Sequence, residues 1–313
     1  AWSNSLFEDN AEFGYGMLLA QNTIRDRLKA KVEKIAEKTT DEAVKAAAAE
    51  YLETYTVGAT NGTATDKLVA ALEALDCDCE ERAEVLKNKD FLAKKSQWIF
   101  GGDGWAYDIG YGGVDHVLAS KKDINIMVFD TEVYSNTGGQ SSKATKTGAT
   151  AQFAAGGKET KKKDLAGMAM TYGYVYVAQI AMGADFNQTV KAIAEAEAYP
   201  GPSLIIAYAP CINHGIKKGM SKAQTEEQLA VECGYWNNFR FNPAAEKGSK
   251  FTLDSKQPKE EDYQAFLDGE VRYNALKRAN PEKAARLFAK NEAEAMERYD
   301  YLSKLTDLYK VEE

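Results

Sequence analysis

The stretch WIFGGDGWAYDIGYGGVDHVL, residues 98–118, decides how this chain folds. An apolar run leads into glycines that surround a single acid, Asp103, and a helical pattern follows. Glycines at such a turn let the backbone approach a ligand closely, and a helix N-terminus favours a diphosphate. Because an acid next to a diphosphate requires a cation between them, the pattern predicts that Asp103 binds Mg²⁺. Taken alone, however, a GDG tripeptide is more often a simple turn.

Short apolar runs alternate with helical patterns between residues 96 and 211. The runs SQWIFG, INIMVFD, YVYVAQIAMG and SLIIAYAPC are continuous, as in strands that are buried on both faces. We therefore predict an α/β fold, with a parallel sheet and helices on both of its faces. Ligands of such sheets bind at the carboxyl ends of the strands, which are here residues 101–103, 130–133 and 209–211.

Two flanking segments differ from this core. The first is rich in Ala, Lys and Glu at helical spacing, with a loop predicted at 56–66, and the second is charged and helical. The predicted organisation is the start of the α/β domain at 1–19, a helical insert at 20–95, the α/β core at 96–240 and a C-terminal helical layer at 241–313.

The composition excludes several classes of function. A net charge of −8 with a pI near 5.2 argues against a general nucleic-acid binder, and no apolar run is long enough to span a membrane. Four scattered cysteines are too few for a disulfide framework. Because the chain has only two histidines, we do not expect a histidine zinc site or a Ser-His-Asp triad. We expect reduced thiols in a cytosol-like compartment. The absence of a signal peptide and of an initiator methionine predicts a fragment or a processed product.

A second stretch strengthens the magnesium prediction. In DTEVYSNTGGQSS, Thr131 follows the next predicted strand, 28 residues after Asp103. A strand–helix–strand excursion returns the chain to the same sheet edge. The Asp103 carboxylate, the Thr131 hydroxyl, a carbonyl of the following turn and two phosphate oxygens would then supply most of an octahedral site. Asn136, Gly138 and Gly139 then shape a polar loop over the ligand. By itself, SNTGGQSS is typical of a flexible loop.

The longer strings GGDGWAYDIGYGGVDHVLAS and DTEVYSNTGGQSSKAT resemble the thiamine-diphosphate domain of the pyruvate:ferredoxin oxidoreductase family. NSLFEDNAEFGYGM at 4–17, AYAPCINHG at 207–215 and CGYW at 233–236 are similar to that family in the same order. The resemblance covers most of the chain. It is specific over 98–240 and weaker over 20–95.

This resemblance implies a set of site residues. Asp103, Thr131 and the carbonyl of Val133 would bind Mg²⁺, Asn136 would lie where substrate and reactive carbon meet, and Cys211 would supply one ligand of a [4Fe–4S] cluster. Judged from the residues alone, a cysteine that ends an apolar strand is more often a core thiol. The residues implied to line thiamine diphosphate are Gly102, Asp103, Gly104, Trp105, Thr131, Glu132, Val133, Tyr134, Ser135 and Asn136.

The resemblance also implies an activity, the oxidative decarboxylation of pyruvate with coenzyme A to acetyl-CoA and CO₂. Electrons would pass through iron–sulfur clusters to ferredoxin or flavodoxin. The acid that activates the cofactor and the other three cluster cysteines lie upstream in the family, so the chain looks like the C-terminal part or one subunit of a larger enzyme and is expected to be inactive alone. We expect this chain to act with the remaining domains or subunits of the same enzyme, and the enzyme to be a homodimer. Its expected location is the cytoplasm or the matrix of an anaerobic organelle.

Three alternatives stay open. The chain could belong to another 2-oxoacid:ferredoxin oxidoreductase, to a non-redox thiamine-diphosphate lyase or synthase without a cluster, or to a non-catalytic binding module. Among the other polar residues, His116 is expected to be structural, His214 to be a loop histidine that could lie near the site, and the basic run 158–164 to be a solvated loop or a docking site for acidic ferredoxin. Cys77, Cys79 and Cys233 are expected to be ordinary thiols.

Overall fold

The computed structural model describes residues 10–246 and 248–309. They form two compact units, Phe13–Gln97 and the described residues of Ala1–Glu12 with Trp98–Glu313. Part of the NSLFEDNAEFGYGM string therefore lies outside the described residues. No helix within the described ranges has the length and apolar character that crossing a membrane requires.

The unit Phe13–Gln97 is helical and has its own core of buried aliphatic side chains around Tyr51. The predicted loop at 56–66 is wrong, because a helix begins at Gly58. Asn61 is buried in this helix and accepts hydrogen bonds from Arg25 and from the backbone N–H of Lys94, so tertiary contacts override the turn-forming sequence. The helices are α1 (Ala11–Lys38), α2 (Glu42–Glu53), α3 (Gly58–Ala74) and α4 (Glu80–Lys87).

One buried cation joins three segments of this unit. Arg25 is 5% exposed, and its Nε donates to the carbonyl of Leu92 at 2.9 Å. Its Nη2 donates to the carbonyl of Tyr55 at 2.9 Å and to Oδ1 of Asn61 at 3.1 Å. These bonds to carbonyl groups let α1 hold both the α2–α3 connection and the end of the unit in place.

The second unit is built on a six-stranded sheet. The first four strands in spatial order are parallel, and two antiparallel strands extend one edge. The strands are β1 (Trp98–Gly102), β2 (Ile124–Asp130), β5 (Tyr176–Ile180), β6 (Pro202–Tyr208), β7 (Phe239–Phe241) and β8 (Phe251–Leu253), in the order β1-β2-β6-β5-β7-β8. A separate hairpin consists of β3 (Val133–Tyr134) and β4 (Gln140–Ser141).

Helices cover this sheet, and the predicted α/β fold is confirmed. β2 and β6 are buried at almost every position, as expected for central parallel strands with both faces covered. On one face, Ala192 and Ala196 pack against Met127, Ala178 and Ile205. The helices are α5 (Tyr111–Ala119), α6 (Leu165–Met170), α7 (Phe186–Ala198), α8 (Ala223–Glu232), α9 (Tyr263–Asp268), α10 (Val271–Ala279) and α11 (Pro281–Leu308).

The sequence predicts a purely helical C-terminal layer, but the structure also contains strands in this region. β7 spans the predicted boundary at 240/241 and pairs with β8, which lies inside the predicted helical layer. Strands of three residues are too short for their periodicity to stand out from the surrounding charged sequence. The predicted domain boundaries stay predictions.

Beneath the ends of β1 and β2 lies a buried group of charged side chains, called here the ionic cluster. Lys162 Nζ lies 2.7 Å from Asp130 and 3.2 Å from Glu132, and Arg272 lies 2.8 Å from Glu132 and 2.6 Å from Glu270. The side chains of Asp130, Glu132 and Glu270 are fully buried. Each buried carboxylate therefore has a cationic partner, which is the condition for burying charge without a large penalty.

The expectation of a solvated loop at 158–164 holds for Glu159, Thr160 and Lys161, which are exposed, but not for three of the lysines. Lys162 belongs to the ionic cluster, and Lys158 donates to the carbonyls of Ser142 and Thr145 at 2.8 and 2.6 Å. Lys163 donates to the carbonyl of Tyr107 at 3.1 Å. Lys158, Lys162 and Lys163 turn inward because the strand ends present buried acids and carbonyls that need donors, whereas Lys161 stays exposed.

The role of Arg25 leads to a first prediction. Arg25→Leu should lower the free energy of unfolding of the helical unit by about 3 kcal/mol, because it removes charge-assisted bonds and leaves buried carbonyls unsatisfied. The control Arg27→Leu removes a salt bridge to Glu84 in which the arginine is 57% exposed, and should cost less than about 1 kcal/mol. Denaturant unfolding of both variants measures the difference. Equal losses would contradict the assigned role.

The ionic cluster leads to a second prediction. Lys162→Met should destabilise the α/β unit by about 3–5 kcal/mol, because it leaves two buried carboxylates with too little positive charge. The matched control is Lys161→Met, which removes only an exposed pair with Glu297. Thermal and denaturant unfolding should separate the neighbours clearly. A Lys162 variant as stable as the Lys161 variant would show that the cluster does not stabilise the fold.

Candidate functional site

The turn after β1 is shaped by aromatic rings that pack against glycines. Trp105 is 2% exposed, and a Cβ atom at Gly101 would lie 2.2 Å from its ring. A Cβ atom at Gly104 would lie 2.4 Å from the ring of Tyr134. Only glycine fits at these two positions, because the rings occupy the space of a side chain.

The helix predicted directly after Asp103 begins as a π-helical turn, Gly104–Ile109, before α5 follows. The N–H of Gly110 donates to the carbonyl of Trp105 at 2.8 Å, five residues back. Turns of this kind are frequent at functional sites, since they re-aim the residues around them. Gly102, the remaining glycine of the GDG motif, is the last residue of β1.

Asp103 lies at the carboxyl end of β1 and is 1% exposed. The hydroxyl of Thr131 donates to its Oδ1 at 2.7 Å, and the hydroxyl of Ser142 donates to its Oδ2 at 2.5 Å. Burial, together with the charge of Asp130, raises the pKa of Asp103 to about 7. A buried carboxylate that is held by neutral hydroxyls is a position where a bound cation is favourable.

The three predicted magnesium ligands come together at this point. Thr131 Oγ1 lies 2.7 Å from Asp103 Oδ1 and 2.9 Å from the carbonyl oxygen of Val133, although its single proton can serve only one acceptor. Octahedral Mg²⁺ with bonds of about 2.0–2.1 Å separates neighbouring ligand oxygens by about 2.8–3.0 Å. The donor set and its spacing therefore fit Mg²⁺. Within residues 10–246 and 248–309, no group of three His, Cys, Asp or Glu side chains is suited to a metal. The set at Asp103 is of a different kind, because it combines one carboxylate with neutral oxygens.

The SNTGGQSS segment is a hairpin rather than a loose loop. Gly139 donates its N–H to the carbonyl of Tyr134 at 2.8 Å, and φ is 138° at Gly138 and 79° at Gly139, values that favour glycine. Ser135 and Asn136 lie on the exposed tip of this hairpin. The catalytic role of Asn136 stays a prediction.

Glu132 was expected to line the cofactor, but its side chain points into the ionic cluster and is fully buried. Burial alone would raise the pKa of Glu132, yet Lys162 and Arg272 outweigh it and hold that pKa below its usual range. Glu132 has φ of 58°, and the hydroxyl of Thr145 donates to its carbonyl. A left-handed non-glycine residue persists only where its surroundings hold it, so the cluster fixes the path of the metal loop, residues 130–133.

Cys211 lies just beyond the end of β6 and is 9% exposed. Its Sγ accepts hydrogen bonds from both the backbone N–H and the side-chain amide of Asn213, each at 3.5 Å. Such bonds to sulfur stabilise a thiolate and tune iron–sulfur ligands. A Cβ atom on Gly139 would lie 2.9 Å from the Asn213 side chain, so the hairpin and the turn that carries Cys211 are close neighbours.

The sheet order places all these groups at one edge. β1, β2 and β6 are adjacent parallel strands, and Asp103, Thr131 and Cys211 follow their carboxyl ends. The N–H of Ala209 donates to the carbonyl of Asp130 at 3.0 Å, which continues this pairing beyond β6. The arrangement can hold a metal–diphosphate group and present a thiolate beside it.

The other cysteines lie in different surroundings. All four are free thiols. Cys233 is 1% exposed, and burial raises its pKa to about 12, as expected for an unreactive core thiol. Cys77 and Cys79 are half-buried in the helical unit.

Sequence reasoning missed two contributors to the site, Ser142 and Lys162, and gave His214 only as a loop histidine that could lie near it. Ser142 holds Asp103, Lys162 neutralises the acids behind it, and His214 contacts the metal loop. His214 is fully buried rather than a simple loop histidine, and burial, aided by the charge of Arg272, lowers its pKa to about 3. Only the run of lysines gave a sequence signal. For a serine or a histidine near glycines, the local sequence does not show whether the side chain faces solvent or a ligand.

Comparison with known proteins finds matches over the region that contains this site. The model of the family described as "Thiamine pyrophosphate enzyme, C-terminal TPP binding domain" matches residues 83–207, which include Asp103 and Thr131. A pyruvate-flavodoxin oxidoreductase from Enterobacter agglomerans is 55% identical over 312 residues, covering 97% of this chain and 26% of that protein. A pyruvate:ferredoxin oxidoreductase from Moorella thermoacetica is 54% identical over 314 residues, covering 98% and 27%.

A third relative is less similar in sequence and carries a different name. A mitochondrial pyruvate dehydrogenase [NADP(+)] from Euglena gracilis is 46% identical over 287 residues, covering 91% of this chain and 16% of that protein. The chain thus spans about a quarter of the length of the two relatives above. On this similarity over nearly its whole length, the chain belongs to the pyruvate:ferredoxin (flavodoxin) oxidoreductase family and contains a thiamine pyrophosphate enzyme C-terminal domain.

Proposed function

We propose that this chain is the part of a pyruvate:ferredoxin or pyruvate:flavodoxin oxidoreductase that binds thiamine diphosphate through Mg²⁺ and supplies one ligand to a [4Fe–4S] cluster. The whole enzyme would convert pyruvate and coenzyme A to acetyl-CoA and CO₂. The observation that carries the proposal is the position of Thr131 Oγ1, 2.7 Å from Asp103 Oδ1 and 2.9 Å from the Val133 carbonyl oxygen, inside the matched cofactor domain.

The chain's own residues have defined tasks in this proposal. Asp103 supplies the charged ligand, while Thr131 and Val133 add neutral oxygens and Ser142 fixes the orientation of the carboxylate. The ionic cluster holds the metal loop in its left-handed turn, so the ligands are in position before the metal binds. Bound thiamine diphosphate supplies the carbanion stabilisation that decarboxylation of a 2-oxoacid requires.

Cys211 supports the redox part of the proposal. It follows a strand adjacent to the one that leads into Thr131, and two N–H groups point at its sulfur. A cubane cluster needs four ligands, so the other three would come from the remaining domains or subunits. Pyruvate, ferredoxin or flavodoxin as acceptor, a homodimer and a cytoplasmic location belong to the same proposal and rest on the named relatives and on the free thiols.

Substitution of the charged ligand tests the metal site. Asp103→Asn should weaken Mg²⁺-dependent binding of thiamine diphosphate by more than about 100-fold, because even changes outside the ligand shell of a metal cost 10–100-fold. Thr131→Val should weaken binding less, since a hydroxyl is a weaker ligand than a carboxylate. Calorimetric titration of the chain, alone and with the other parts of the enzyme, gives both affinities.

The control for this experiment is Asp78→Asn, which changes an exposed aspartate of the helical unit. It should leave cofactor binding unchanged. Wild-type affinity in the Asp103 variant, with melting behaviour intact, would rule out the assigned metal site.

Substitution of Cys211 tests the redox part. In the complete enzyme, Cys211→Ser replaces a soft thiolate by a hard hydroxyl that binds iron poorly. We expect thiamine diphosphate binding to persist, one cluster to be lost or converted, and acceptor reduction to fall steeply while slow CO₂ release continues. Electron paramagnetic resonance of the clusters and paired assays of CO₂ release and acceptor reduction measure this.

Cys233→Ser is the matched control, because Cys233 is buried and donates to the carbonyl of Ala230 at 3.7 Å. It should keep all clusters. If Cys211→Ser also keeps its full cluster content and acceptor reduction, Cys211 is a core thiol and a non-redox thiamine-diphosphate lyase becomes the better reading of the site.

A further inference from the structure

A histidine connects the turn that carries Cys211 to the metal loop. His214 ends the short 3₁₀ turn Ile212–His214, and its N–H donates to the carbonyl of Cys211 at 3.0 Å. Its ring Nε2 lies 2.7 Å from the backbone carbonyl oxygen of Thr131. One side chain therefore spans the gap between the candidate cluster ligand and the candidate metal ligand.

The hydrogen bond fixes the tautomer of the ring. A carbonyl oxygen can only accept, so Nε2 must carry the proton. Nδ1 lies 3.7 Å from Oε1 of Glu270, beyond hydrogen-bond distance, and has no hydrogen-bonding partner in the part of the chain that the structure describes. The ring also stacks on Tyr208, the last residue of β6, with centroids 6.2 Å apart and planes inclined by 23°.

The turn itself is held rigidly from its other side. Gly215 follows His214 with φ of 64°, and a Cβ atom there would lie 2.5 Å from Cβ of Val271. The N–H of Val271 donates to the carbonyl of Gly215 at 2.9 Å, one residue before Arg272 of the ionic cluster. The Gly215 end of the turn is therefore anchored, and the His214 ring links the turn to the Thr131 peptide on its other side.

We propose that His214 is a positioning residue that locks the Cys211 turn to the metal loop. Through this single hydrogen bond, His214 holds the Thr131 peptide so that the hydroxyl of Thr131 meets Asp103, and binding of metal and diphosphate at Asp103 in turn fixes the Cys211 thiol. The inference rests on the proposed function, since it assumes that a metal and thiamine diphosphate bind at Asp103. It adds a coupling between that site and the cysteine.

The experiment compares wild type with His214→Leu, which removes the donor at similar volume, and His214→Gln, which retains an N–H donor. The probe is Mn²⁺ with thiamine diphosphate, because Mn²⁺ uses the same oxygen ligands as Mg²⁺ and its free ion is counted by electron paramagnetic resonance. The second readout is the rate at which iodoacetamide alkylates Cys211 in the complete enzyme prepared without its iron–sulfur clusters, followed by peptide mass spectrometry with Cys233 as internal control.

In wild type and His214→Gln, saturating Mn²⁺ and thiamine diphosphate should slow alkylation of Cys211. In His214→Leu, Mn²⁺ affinity should fall about tenfold, the effect of losing one buried hydrogen bond. Protection of Cys211 should be lost in that variant even when Mn²⁺ is saturating. Simple shielding by the bound cofactor would instead protect the thiol equally in all three proteins, and that result would overturn the coupling.

The remaining outcomes are also decisive. If wild type itself fails to bind Mn²⁺ with thiamine diphosphate, the proposed function fails. If wild type binds and His214→Leu binds equally well, only the present inference fails. Should His214→Leu not fold, nitrogen NMR of wild type decides, since a His214 ring protonated at Nδ1 instead of Nε2 contradicts the hydrogen bond. A His214→Gln variant as deficient as the leucine variant would also overturn the role of the N–H.

Discussion

The site depends on one constraint, the burial of several carboxylates directly behind the ends of β1 and β2. Asp130, Glu132 and Glu270 have no contact with solvent, and Lys162 and Arg272 supply the positive charge that keeps them there. The attraction does more than balance charge. It holds Glu132 in a left-handed conformation, and in this turn the Thr131 hydroxyl contacts both Asp103 and the Val133 carbonyl.

This arrangement separates two kinds of acid that lie close together. Asp130 and Glu132 are neutralised by lysine and arginine, whereas Asp103 is held only by the hydroxyls of Thr131 and Ser142 among the contacts described above. The first two stabilise the loop, and the third remains available to a divalent cation. A protein that paired every buried acid with a basic side chain would have no place for a metal. The difference in partners is therefore the physical basis of the candidate site.

Much of the fold could be predicted from the sequence, because continuous apolar strands such as INIMVFD separated by helical patterns are strong local signals. Juxtaposition of Asp103 and Thr131 followed from topology, since both end adjacent parallel strands. The failures have a common cause. The inward position of Lys162, the burial of His214 and the helix start at Gly58 depend on partners that are distant in sequence. The three-residue strands β7 and β8 are too short to show a period. Long-range pairing of polar groups leaves no local pattern.

The most direct measurement is a crystal structure of the chain, together with the other parts of its enzyme, grown with Mn²⁺ and thiamine diphosphate and recorded at the manganese absorption edge. The account predicts one anomalous peak within about 2.2 Å of Asp103, Thr131 and the Val133 carbonyl, with diphosphate oxygens completing an octahedron. Manganese bound elsewhere, or cofactor bound without metal contact to Asp103, would contradict it.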